Sequence, residues 1–342
     1  MGSTTRVYRS DDDDDDDNYA YTDMPLRLIM ADMALLLANS WALPHILLPL
    51  RGRSGAFAEL YPTAANLWSL LTQVVLGFGQ VGFFVALPWT VLLPVWAAGL
   101  VVGGEHWTKS NLNRLALTFG RPIMGIHNRT SGILFDIVEC LVQRNLTYAT
   151  GDVRLTYRLL RSVLYDPTKT RVVFILHSQG GIEGGLVIDW LLQDTPQDLL
   201  SKLEVYTFGN AANHFNNPRR RASWRAAQDR AIGHMEHYAH STDFVARCGV
   251  LSRRRGRFHG RLFNRSTGRG GHLLNQHYLD GMFPLRRDEE TGEFVGAEEG
   301  NGFMDEMVDG GDGRMVRIGE LSRLWAYRNG QCPAERKNGV CD

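Results

Sequence analysis

The run RVVFILHSQGGIEGG at residues 171–185 leaves the chain few options. Residues 172–176 are short, apolar, β-branched and aromatic, the composition of a strand buried on both faces. The run stops at His177 and Ser178, and GIEGGLVIDWLL then takes up the spacing of a helix. A strand that passes into a helix this abruptly needs small side chains at the bend. Gly180 and Gly181 lie in the bend, and Gly184 and Gly185 let the helix press close to neighbouring strands. Such a junction holds the Ser178 hydroxyl at the carboxyl edge of a sheet, with a helix N-terminus aimed at it.

The surrounding pattern supplies the rest of that sheet. PIMGIHNRT (122–130) reads as a strand entering a polar turn, and LEVYTFG and MEHYAH read as further strands. SGILFDIVECLVQR, DVRLTYRLLRSVL and GHLLNQHYLDGMF carry helical spacing. Strands alternating with helices predict a mostly parallel sheet with helices on both faces.

The N-terminal third is different. Seven consecutive aspartates, Asp11–Asp17, repel one another and bury nothing, so residues 1–23 are expected to be a disordered acidic tail. From Leu60 to Gly104 the chain has no Asp, Glu, Lys, Arg or His over 45 residues, where a membrane-spanning helix needs about 20. Trp41, Trp68, Trp89, Trp96 and Trp107 suit an interfacial aromatic belt. Residues 24–107 are therefore expected to be an apolar helical, membrane-associated region, multi-pass or anchored. Residues 108–285 follow as the α/β domain, and 286–342 as a C-terminal extension. Lysine plus arginine equals aspartate plus glutamate at 37 each, which gives no basic surface for nucleic acid.

Three other patterns carry weaker alternatives. Gly77, Gly79 and Gly82, with Glu105 downstream, have dinucleotide-turn spacing, but the sequence after them is apolar all round rather than amphipathic. His234, His237 and His240 on one strand do not gather on one face, so no metal site is expected. The four cysteines are scattered, and only Cys332 and Cys341 are placed to close a short loop.

A strand–Ser–helix junction among small residues is the nucleophile elbow of the α/β-hydrolases. Leu176 stands two before the serine, where a small residue is usual, so either the turn opens or the elbow is degenerate. A serine nucleophile needs a base and an orienting acid, which in this fold follow in the order acid, then histidine. Asp243 follows a strand in a polar turn, and its competing role is a helix N-cap. His272 follows two glycines at a helix start and is the expected base, with His277 as alternative. Oxyanion donors are expected from the backbone of Gln179 and from the loop at Asn128.

Through IHNRT, HSQGG, TFGN, DFVAR and GHLLNQHY, residues 121–285 resemble the α/β-hydrolase superfamily. More narrowly they look like fungal lipase-like serine hydrolases with an N-terminal membrane region. The resemblance implies hydrolysis of lipophilic carboxylic esters through an acyl-enzyme on Ser178, without metal or cofactor, beside membrane lipid. The alternative is a non-catalytic scaffold of the same fold at a membrane, and a third option is acyl transfer.

Overall fold

A computed structural model describes residues 4–9, 24–50, 53, 55–86, 105–128, 133–220, 230–252, 257–268, 270–310 and 313–333. Its centre is one sheet of five strands: β1 (Thr4–Arg9), β2 (Val172–His177), β3 (Leu203–Phe208), β4 (His234–His240) and β5 (Arg261–Ser266). Their spatial order is β1-β5-β4-β3-β2. β2 to β5 run parallel, and β1 pairs antiparallel with β5. The helices are α1 (Pro25–Ala38), α2 (Ala64–Ala86), α3 (Glu105–Phe119), α4 (Ile133–Leu146), α5 (Gly151–Tyr165), α6 (Gly180–Asp194), α7 (Gln197–Leu200) and α8 (Phe244–Cys248).

Side chains alternate across the strands, so each strand feeds two cores. Leu203, Val205, Met235, Ala239 and Leu262 join Leu160, Ile188 and Leu191 of α5 and α6 on one face. Tyr206, Phe208, Tyr238 and Phe263 join Leu115 and Phe119 of α3 on the other. The second core also takes Phe303, Met304, Ile318, Leu324, Trp325 and Tyr327. Buried Glu204 accepts from the Tyr206 and Tyr327 hydroxyls at 2.7 Å each and from Arg323 Nε at 2.9 Å. The segment beyond residue 285 thus completes the sheet's core, because its apolar side chains find burial only there.

Several expectations change. Within the stretch expected as a disordered tail, Thr4–Arg9 is a strand, held by the open edge of β5 and by Glu306 Oε1, which accepts from the Thr5 N–H at 2.6 Å. Asp11–Asp17 lie outside the described residues. Residues 122–128 form no strand, although they line the same cavity as β2. Gly77, Gly79 and Gly82 lie inside α2 with open space around them, so they make no nucleotide-binding turn.

The membrane-spanning expectation is not supported. No single helix among the described residues is long and apolar enough to cross a bilayer, and residues 87–104 lie outside the description. The pair Pro25–Ala38 and Ser40–Ile46 passes by length and composition, bent by 71°. That pair is tied to the sheet domain by polar contacts. Buried Asp32 pairs with Arg144 at 3.0 Å and accepts from Asn145 Nδ2 at 2.6 Å, while Arg247 Nε donates to Asn39 at 2.7 Å. The opposite flank is apolar: Leu26, Met30 and Leu37 are each at least 70 % exposed. On α2, Trp68 and Phe78 are equally bare at 70 % and 75 %.

Candidate active site

β2 ends at His177, and the next residue takes φ +58°, a left-handed conformation strained for a side-chain-bearing residue. The Ser178 N–H still donates to Phe208 O at 3.1 Å, so the bend stays locked to β3 before α6 begins. Glycine is required at two points on α6. A Cβ at Gly181 would run into the Asn210 side chain, and one at Gly184 into Leu176. Gly180 faces open space, so the small residues matter for the helix's approach to the sheet more than for the bend. Leu176, the oversized residue before the serine, packs into the hollow that Gly184 leaves.

Asp243 follows β4 and opens α8. Its Oδ1 accepts from the Val245 N–H at 2.8 Å and the Ala246 N–H at 3.3 Å. Its Oδ2 accepts from Tyr278 Oη at 2.6 Å and His272 Nδ1 at 3.0 Å. The acid role and the N-cap role are therefore one arrangement, since the cap fixes the carboxylate that faces the imidazole. Burial alone would raise the Asp243 carboxyl, but His272 and the hydroxyl of Tyr278 carry it below its ordinary value.

With Nδ1–H donated to Asp243, His272 presents Nε2 as an acceptor, and Ser178 Oγ donates to it at 2.8 Å. The structure thus brings together Ser178, His272 and Asp243. His277 is elsewhere: its Nδ1 accepts from the Leu273 N–H at 3.0 Å and its Nε2 donates to Pro49 O at 3.0 Å. It sits in the π-helical turn Leu274–Leu279, whose first N–H groups at Asn275 and Gln276 donate to Glu59 at 2.6 and 3.1 Å. The alternative base is a brace for the loop that carries His272.

Three further contributors lie within HSQGG, TFGN and GHLLNQHY, and none of them was expected among the catalytic residues. Tyr278 adds the fourth bond to Asp243. Gly209, at φ +53°, leaves room for the relay, since a Cβ there would stand 2.7 Å from Asp243 Oδ2 and 2.9 Å from His272 Nδ1. His177 stacks on the His272 ring at 4.7 Å and donates from Nε2 to His272 O at 2.8 Å. Burial lowers the His177 pKa to about 3, so it stays neutral beside the base.

Gln179 and Asn128 both line a cavity of about 840 Å³ that opens at Ser178. The Gln179 N–H takes no acceptor among the described residues, and its side chain is held by Gln143 Oε1 at 3.1 Å. Asn210 and Asn213 are buried and bonded to Ala212 N–H and Arg144 O. Asn145, in a glycosylation sequon, is also buried, with its amide spent on Asp32. Cys332 is disulfide-bonded, and Cys140 and Cys248 are free. Among the described residues no three His, Cys, Asp or Glu side chains gather as metal ligands; His237 and His240 bond instead to the backbone carbonyls of His259 and His277.

No protein-family model, curated protein or solved structure matches the chain.

Proposed function

We propose that the chain has an α/β-hydrolase fold and is a membrane-associated serine hydrolase that cleaves carboxylic esters through an acyl-enzyme on Ser178. The observation that carries this is the continuous relay Ser178 Oγ–His272 Nε2, His272 Nδ1–Asp243 Oδ2, at 2.8 and 3.0 Å. His272 takes the Ser178 proton as Oγ attacks the ester carbonyl, and Asp243 stabilises the imidazolium. The carbonyl oxygen becomes an oxyanion facing the Gln179 N–H and the loop at Asn128. Collapse expels the alcohol with the proton from His272. Water, deprotonated by the same imidazole, then releases the acid and restores Ser178. Membrane association is supported by the bare apolar flanks of α1 and α2.

The scaffold alternative drew on Leu176 and on the choice between two histidines. Leu176 has a fitted place under Gly184, and one of the two histidines lies on Ser178. The test is labelling of the full-length protein with a fluorophosphonate probe. Wild type should label and Ser178→Ala should not. A folded wild type that stays unlabelled overturns the hydrolase reading. Sedimentation with membranes after cell rupture, resistant to high salt, is expected; recovery in the supernatant overturns the membrane part.

A further inference from the structure

β2 is the last strand of the sheet, and its outer edge has no strand partner among the described residues. Residues 121–128 form no ladder with it, although they and β2 line one cavity. The Arg121 N–H donates to Ala116 O at 3.2 Å near the end of α3. Gly125 lies against Leu112, and His127 Nδ1 meets Thr108 Oγ1 at 2.7 Å near the helix start. The segment therefore doubles back along α3 toward Ser178.

The cavity of about 840 Å³ is lined by every residue from 171 to 180 and by every residue from 121 to 128. Its walls are mostly apolar on both sides of the strand, with Leu112, Leu115 and Phe119 of α3 on one and Leu159, Leu160 and Val163 of α5 on the other. Thr108, Asn111 and Thr156 are the neutral polar side chains these helices add. Among the described residues, the Asp, Glu, Lys and Arg side chains of its lining are Glu183, near the serine, and Arg121, Lys169 and Arg171, toward the start of β2. The seven steps from Arg171 to Ser178 span roughly 23 Å at about 3.3 Å per residue. A staggered hydrocarbon with bonds of about 1.5 Å at about 111° advances roughly 1.25 Å per carbon, so about 18 carbons match that length.

We infer that this groove seats the acyl part of the substrate, extended along the free edge of β2, and that the substrate class is an ester of a long unbranched fatty acid. The inference rests on the serine-hydrolase reading above. An extended peptide would instead pair its backbone with the same edge, but the mostly apolar walls favour hydrocarbon.

The test compares nitrophenyl butanoate with nitrophenyl dodecanoate, both below their micelle concentrations, on the full-length protein. Burial of eight further methylenes in a half-open groove should raise kcat/KM at least about tenfold for the longer ester. Val163→Trp, which fills the groove from α5, should reduce that preference at least tenfold. Val173→Trp does the same from the strand, at a position 40 % exposed and tolerant of bulk. Fluorophosphonate labelling of each variant checks that the serine is still active. A chain-length ratio near one in wild type, or one that neither tryptophan alters while labelling persists, overturns the groove. Turnover of hydrophobic peptide anilides without dodecanoate turnover does so too. Loss of labelling and of all ester turnover in wild type sinks the hydrolase reading along with it.

Discussion

The sheet and the N-terminal helices treat polar and apolar groups in opposite ways. Around β2, β3 and β4 the apolar side chains are sealed into two cores, and inward polar groups are mostly answered, with His240 Nδ1 and Asn210 Nδ2 as exceptions. All four bonds to Asp243 illustrate this. Along α1 the inward side carries Asp32, answered by Arg144 and Asn145, while the outward side carries bare Leu26, Met30 and Leu37. The difference teaches what each surface is built to meet. A buried polar group without its partner is penalised heavily, whereas an exposed apolar stripe is left ready for a non-aqueous neighbour.

The comparison breaks most sharply at the relay. Ser178→Ala and His272→Ala should each lower ester turnover at least about 10⁴-fold with the fold intact. A fall below tenfold, measured on protein with an unchanged melting curve, would remove the catalytic side of the contrast. Arg144→Ala tests the buried side of α1. It removes the cation paired with Asp32 and the donor from Ala211 O and Cys248 O, so a loss of about 3–5 kcal/mol in denaturant titration is expected. Less than about 1 kcal/mol would mean that α1 is not anchored through this pair.

Gly209→Ala should separate geometry from stability. Its Cβ displaces Asp243 against His272, so kcat should fall about 100-fold. The left-handed backbone adds a loss of about 1 kcal/mol in stability. Equal activity of the alanine variant would show that the relay tolerates movement.

Acid should loosen the sheet side. Burial lowers the pKa of His177 to about 3 and those of His237 and His240 to about 4. Unfolding returns each to about 6.5, so between those values the unfolded chain binds more protons and stability rises with pH. The stabilisation is fully present above about pH 6.5 and is lost as pH falls toward 4 and then 3. Melting temperatures should drop across that window, and a flat profile would contradict neutral burial of these rings. The smallest effect belongs to the bare stripe. Met30→Gln and Leu37→Gln should change stability by no more than about 0.5 kcal/mol, while weakening sedimentation with phosphatidylcholine vesicles. Unchanged vesicle binding would detach the stripe from any lipid role.

Much of the site was legible because it is written locally. The abrupt change of period at Ser178 marks a strand passing into a helix, and Asp243 follows a strand as a turn residue must. What was not legible depends on contacts between distant segments. Residues 122–128 have the composition of a strand but gain no ladder partner, and Thr4–Arg9 gains one only because β5 offers a free edge. His272 and His277 look alike in sequence. One meets Ser178 and the other Pro49, since the π-turn between them sets where each ring projects.

The amino-acid order alone determined the alternation of strands and helices, the position of Ser178 at a strand–helix junction and the uncharged character of residues 60–104. These follow from side-chain size, periodicity and charge within a few residues of one another. Only the folded chain decided that Leu176 fits beneath Gly184, that Tyr278 supports Asp243, and that β2 has no outer strand partner among the described residues. Those outcomes depend on which surfaces, far apart along the chain, close-pack against each other, and no local pattern encodes that choice.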